Sequence, residues 1–223
     1  MAYWQDFAPP AAPPRGWQDS YAATMPDGSR LLLPLRDLGD SAVAGLIANQ
    51  ASFTVLDRLV GWLAARVAPW RPEVVVGLPT LGHAVAAALA RALGHPHWAP
   101  AGFSRKLWYQ ESLSVPVTSI TSPGSGRRLW LDPRLLERLA GRRVLLVDDV
   151  VSTGTSLRAG LHLLDAAGIA PVGVGVLMLQ GDRWRAAPAP WPPLAGVFAT
   201  PLFARTAEGW QEIPGTAPHD LCA

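Results

Sequence analysis

Val144-Leu145-Leu146-Val147-Asp148-Asp149-Val150-Val151-Ser152-Thr153-Gly154-Thr155-Ser156 is the stretch that decides how this chain folds. Its four leading apolar residues read as a strand buried on both faces of a parallel sheet. Asp148 and Asp149 follow where that strand should emerge, and the Ser152–Ser156 run opens the helical spacing of Leu157, Leu161 and Leu164. Small hydroxyl residues and a glycine at a helix N-terminus offer backbone N–H groups and side-chain donors to an anion. Adjacent carboxylates cannot bind phosphate, but beside such a cradle they suit sugar hydroxyls or a divalent cation. A ligand carrying a phosphate, a ribose and a metal fits the whole stretch. A Walker A loop competes poorly because no lysine follows the glycine. A dinucleotide fingerprint fails too, since Gly-x-Gly-x-x-Gly is missing after the strand.

Upstream, Val74-Val75-Val76-Gly77-Leu78 reads as a second buried strand running into Pro79-Thr80-Leu81-Gly82-His83 and an alanine-rich helix through Leu93. A strand, a glycine-containing turn and a helix make another anion-binding corner. Between the two corners lies the basic segment Ser104-Arg105-Lys106-Leu107-Trp108-Tyr109. Lys106 is the only lysine of the chain. Two alternating stretches, Val115–Ile120 and Arg127–Leu131, then flank the turn Ser122-Pro123-Gly124-Ser125-Gly126 and predict an antiparallel hairpin. Asp132-Pro133 caps a short helix ended by Gly141. His95-Pro96-His97 has no cysteine or acidic partner nearby and reads as a loop into a strand, not a metal site.

The central thirteen residues resemble the PRPP (phosphoribosyl pyrophosphate) motif of type I phosphoribosyltransferases. The order of basic loop, hairpin, Leu-Trp-Leu-Asp-Pro, short helix, Gly-Arg-Arg and central strand is similar to the adenine enzymes of that family. The resemblance spans roughly residues 72–180. It implies an α/β fold: a parallel, mostly five-stranded sheet flanked by helices, with a small hood and a flexible loop and hairpin. It also implies transfer of the 5-phosphoribosyl group from PRPP to a nucleobase, a purine with adenine favoured, releasing pyrophosphate. Asp148, Asp149, Ser152, Thr153, Gly154, Thr155 and Ser156 would bind PRPP. Thr80, Leu81 and Gly82 would form the pyrophosphate loop, and Arg105, Lys106 and Asp149 would take part in catalysis. Mg²⁺ is the implied cofactor, held directly or indirectly by Asp148 and Asp149, and a homodimer is the implied assembly. The Thr80–Gly82 loop lacks the acidic residue and arginine that precede the glycine in adenine enzymes.

The flanks are less informative. The proline-rich run over residues 8–14 excludes helix and central strand and predicts an extended arm. Leu31-Leu32-Leu33-Pro34-Leu35 predicts a short edge strand, and residues 41–50 fit helix or loop equally. Phe53, Leu56, Leu59, Val60, Leu63 and Val67 follow helical spacing. Val197–Phe203 predicts one last strand, and residues 214–223 a mobile tail. Residues 1–50 are thus read as arm and hood, 51–181 as core, and 182–223 as an extension that could join the hood. Asn49, Gln50 and Phe53 are candidate base contacts, an amide pair and a stacking face, though they serve equally as a helix start. The tryptophan-bearing ends suit packing on a neighbouring subunit.

The net charge of +2 gives no nucleic-acid signature. No apolar run approaches the ~18 residues of a membrane span, and the N-terminus lacks the pattern of a signal peptide. With a single cysteine, Cys222, the chain is expected in the cytoplasm. A PRPP- or nucleotide-sensing regulator of the same fold is the competing reading, since fold does not fix function. A DNA-binding repressor is disfavoured by the lack of a strong basic face. A competence-type relative is disfavoured by the missing cysteine-rich segment.

Overall fold

The computed structural model describes residues 3–117, 127–186 and 191–222. The first strands are β1 (Phe7–Ala8), β2 (Ser20–Thr24), β3 (Arg30–Asp37) and β4 (Ser41–Ala44). Helix α1 (Phe53–Val67), strand β5 (Val74–Gly77), helix α2 (Gly82–Ala92) and strand β6 (Ala99–Gly102) follow. Strands β7 (Ser114–Pro116) and β8 (Arg128–Leu131) lead through the short helix α3 (Leu136–Leu139) to β9 (Val144–Val151). Helix α4 (Thr155–Ala166), then β10 (Gly173–Gln180), β11 (Leu194–Thr200), β12 (Leu202–Thr206) and β13 (Gly209–Glu212) complete the chain.

The larger sheet runs β11-β10-β9-β5-β6-β8-β7. Its five strands from β11 to β6 are parallel, and the antiparallel pair β8 and β7 is added at one edge. β9 lies inside the parallel array, so both its faces need apolar cover. Leu145 and Val147 join the core built with α1 and α2, whereas Val144 and Leu146 join the core built with α4. The period-two alternation of a strand thereby feeds two separate cores. Helix α1 starts cleanly because Ser52 Oγ accepts from the Val55 N–H at 3.2 Å.

The second sheet combines both ends of the chain, in the order β1-β3-β4-β12-β13 with β2 on the other side of β3. Ser41–Ala44, which by itself fits helix or loop, becomes a strand because β3 and β12 both offer it partners. Val197–Phe203 is two strands: Pro201 has no N–H to give a ladder, and the chain crosses there from the larger sheet to the smaller. The tail is tied down through a bridge between Cys222 and Ala195. Trp4 and Trp210 are buried within this chain, and Trp17 packs edge-on against Tyr21 at 4.9 Å. The terminal tryptophans therefore serve the chain's own core. The proposed hairpin turn at Ser122–Gly126, together with Thr118–Ile120, lies outside the described residues.

Phe203 on β12 is fully buried and meets Tyr21 on β2 edge-to-face, with ring centroids 5.0 Å apart. Phe203→Ala is expected to lower stability by roughly 3–5 kcal/mol, the cost of emptying a buried aromatic site. Urea unfolding of the two proteins measures the difference. A change under about 1 kcal/mol would mean that the terminal segments do not need this contact.

Candidate functional site

The site begins where β9 ends. Asp148 and Asp149 lie near the C-terminal end of β9, followed only by Val150 and Val151 in a strand that is otherwise apolar, and they are only 5% and 8% exposed. The Asp149 N–H donates to Asp148 Oδ1 at 3.0 Å, which fixes the first carboxylate against the backbone. The chain then turns at Gly154, whose φ of +81° lies in the left-handed region open to glycine. Helix α4 starts directly after it. Ser152, Thr153, Gly154, Thr155 and Ser156 surround a hollow of about 100 Å³ at that helix N-terminus. Thr153 and Thr155 share a hydroxyl hydrogen bond of 3.0 Å across its mouth.

The second corner sits beside the first. The Leu78 N–H donates to Val147 O at 2.9 Å, so β5 and β9 stay paired up to the carboxylates. The Pro79–Thr80 peptide is cis. At Gly82 a Cβ would lie 2.7 Å from Asp148 Oδ1 and 2.9 Å from its Cα. Only glycine admits this approach. The two corners enclose a cleft of about 540 Å³, with Thr80 and Leu81 on one wall, Thr153, Thr155 and Ser156 on the other, and Asp148 and Asp149 between them.

Arg105 and Lys106 do not line this cleft. They flank a separate hollow with Leu107 and Trp108, where Arg105 pairs with Glu111 at 2.7 Å. The basic residue that does reach the cleft is Arg127, whose guanidinium lies 3.4 Å from the Phe103 ring centroid. In sequence Arg127 marks only the start of a strand; its place in the cleft comes from the pairing of β7 with β8. Asn49 and Gln50 are exposed, Phe53 is 82% exposed, and none of the three lines a cavity described here. Phe53 is the first residue of α1 and precedes the part of that helix that meets the core. A hollow of about 370 Å³ instead opens between the smaller sheet and β9. Trp4, Leu35, Arg36, Ile47, Met178 and Gln180 line it, and Asp149 and Val150 join it to the main cleft. No local motif marks the first six of these residues, which come from four separate parts of the chain.

Burial pushes the Asp148 carboxyl well above its usual 3.8, and the neighbouring Asp149 charge acts in the same direction. Burial raises Asp149 too, while hydrogen bonds to its carboxylate oppose the rise. Two acids in contact away from water hold a proton between them more readily than either would alone. No group of three or more His, Cys, Asp or Glu side chains forms a metal cage among the described residues. The oxygen pair does suit a hard cation that keeps most of its waters.

The phosphoribosyl transferase domain family matches this sequence over residues 43–191, more than half of the chain. The chain belongs to that family. An amidophosphoribosyltransferase of Mycobacterium tuberculosis is 28% identical over 187 residues, which is 82% of this chain and 32% of the relative. The chain thus spans about a third of the length of that relative. An adenine phosphoribosyltransferase of Streptomyces avermitilis is 30% identical over 172 residues, covering 71% of this chain and 88% of its own. Among solved structures, the Giardia lamblia enzyme complexed with 9-deazaadenine superposes with a TM-score of 0.55 at 20% identity, covering 66% of this chain and 80% of its own. The adenine phosphoribosyltransferase of Rhodothermus marinus gives 0.54 at 21% identity, covering 74% and 94%. At these identities the likeness establishes the fold.

Two outcomes follow from the carboxylate pair and its glycine. An acid with a higher pKa folded than unfolded binds more protons in the fold, so stability falls as pH rises above the unfolded value. The contribution of this pair to the stability of the unligated protein should therefore fall as pH climbs from about 4. Asp148→Asn should be more stable than wild type at neutral pH and equal to it in acid; thermal melts across pH check this. Gly82→Ala forces the two corners apart. It should destabilise by about 1–3 kcal/mol, with a matching shift in the urea midpoint.

Proposed function

We propose that this protein transfers the 5-phosphoribosyl group of PRPP to a ring nitrogen of a nucleobase and releases pyrophosphate. The observation that carries this reading is the single cleft in which two buried adjacent carboxylates lie between two strand–turn–helix corners. One corner suits a phosphate, the other lines the same cleft and suits a second anionic group, and the carboxylates between them match sugar hydroxyls. A purine is the favoured acceptor, adenine first. Relatedness to the Streptomyces avermitilis enzyme supports that choice.

In this scheme Ser152–Ser156 hold the 5-phosphate, and that remote binding positions the reacting carbon. Asp148 and Asp149 hold the ribose hydroxyls, and their charge favours the cation that develops on the sugar as pyrophosphate departs. The Thr80–Gly82 backbone and Arg127 face the departing charge. Asp148 and Asp149 would hold Mg²⁺, which would supply charge screening for the pyrophosphate. We assign the base to the hollow under the smaller sheet and the acceptance of the proton lost by the ring nitrogen to Asp149, a role supported by its lining both cavities. The C1–O bond breaks and a C1–N bond forms, with no covalent enzyme intermediate. Arg105 and Lys106 flank a hollow outside the cleft, and we assign them the role of covering the leaving group, which requires their loop to move toward the cleft.

Calorimetry with PRPP, with and without Mg²⁺, tests the site. Binding should require Mg²⁺ and should vanish when Asp148 and Asp149 are both changed to Asn; unchanged affinity would overturn the assignment. A radiometric assay with PRPP and a panel of bases then tests the activity. Tight PRPP binding with no turnover of any base would favour a sensor. In an active protein, Lys106→Ala and Arg127→Ala should each leave PRPP affinity nearly intact and lower turnover by roughly 10²-fold, the scale of losing one transition-state donor.

A further inference from the structure

The segment after β10 brings a charged side chain to the phosphate cradle. Trp184, in the short turn Arg183–Ala186, is 1% exposed, and its indole N–H donates to Gly181 O at 3.1 Å. One buried ring thus pins the turn to the end of the sheet. Arg183 next to it donates from Nη2 to Ser152 Oγ at 3.1 Å, and Ser152 opens the cradle. Trp191 backs the same loop: a Cβ on Gly154 would lie 2.8 Å from its ring, and its indole N–H donates to Trp184 O at 3.0 Å. A second guanidinium, that of Arg158 on α4, stacks on Trp191 at 4.5 Å. β10 flanks β9 on the side away from β5. Arg183 therefore approaches from the side opposite the Thr80–Leu81 wall.

We propose that Arg183 is a positioning residue for the phosphate that the cradle holds, on the reading above that this phosphate is the 5-phosphate of a phosphoribosyl ligand. A serine hydroxyl has one proton and accepts through its lone pairs. With the Arg183 guanidinium occupying a lone pair of Ser152, the hydroxyl proton is turned away from Arg183 and its acidity as a donor is raised. The positive charge of Arg183 adds to the potential at the N-terminus of α4, and Arg158 adds to it from behind. Arg183 is exposed, so solvent screens its long-range field and leaves the directed bond as its main contribution. The two ends of the ligand thereby become separable: Arg183 serves the phosphate end, and the Thr80–Gly82 corner serves the pyrophosphate end.

The test is calorimetry on wild type, Arg183→Gln and Arg183→Lys with two probes, ribose 5-phosphate and inorganic pyrophosphate with Mg²⁺, alongside thermal melts. Arg183→Gln should weaken ribose 5-phosphate about tenfold, the scale of one charge-assisted hydrogen bond. It should leave pyrophosphate affinity and the melting temperature unchanged. Arg183→Lys, which keeps the charge without the planar fork, should recover part of the loss. Equal ribose 5-phosphate affinity in wild type and Arg183→Gln overturns the proposal, and so does an equal loss for both probes, which would signal general distortion of the cleft. A wild type that binds pyrophosphate but no ribose 5-phosphate would instead overturn the phosphoribosyl reading, and this proposal with it.

Discussion

The approach of Gly82 to Asp148 is the contact on which the site depends. With backbone within 3 Å of where a Cβ would stand, any other residue must push the two corners apart. This seam holds the turn after β5 against the end of β9, and the hydrogen bond from Leu78 to Val147 extends the ladder up to it. Two strand–turn–helix corners are ordinary taken singly. Locked side by side, they enclose one cleft with a strand–turn–helix corner on each wall and carboxylates between.

That arrangement has a stability cost that the rest of the fold must offset. Two carboxylates are taken out of water at the end of β9, where neither has a basic partner among the described ion pairs. Desolvation of such a pair opposes folding, and the apolar cores on both faces of β9 supply the compensating burial. A ligand that brings a cation and hydroxyl donors would relieve the same strain. Buried acids of this kind are held by structure that gains nothing from them locally.

The smaller sheet shows a different logic. Its strands come from residues 7–44 and 202–212, so neither end can form it alone. Tyr21 against Phe203, Trp17 paired with Trp210, and Arg205 ion-paired with Asp37 stitch the two ends together. The closed sheet sits over β9 and makes the hollow that adjoins Asp149. The terminal aromatics, which in sequence suggested a neighbouring subunit, are consumed in this closure.

The sequence by itself determined the parallel core, both corners and the carboxylate pair. Each depends on near neighbours in the chain: a run of β-branched residues, a glycine at a turn, hydroxyls at a helix start. Only the tertiary structure decided which cation faces the cleft and which residues line the hollow beneath the smaller sheet. Arg105 and Arg127 have the same chemistry in sequence, and the pairing of β7 with β8, with Phe103 stacked beneath Arg127, sends only the second into the cleft. Trp4, Arg36 and Gln180 meet only because strands far apart in the chain pair or pack together, and such long-range contacts leave no local period to read. Ser41–Ala44 shows the same limit on a smaller scale, since four residues with no decisive preference became a strand when two partners were already in place.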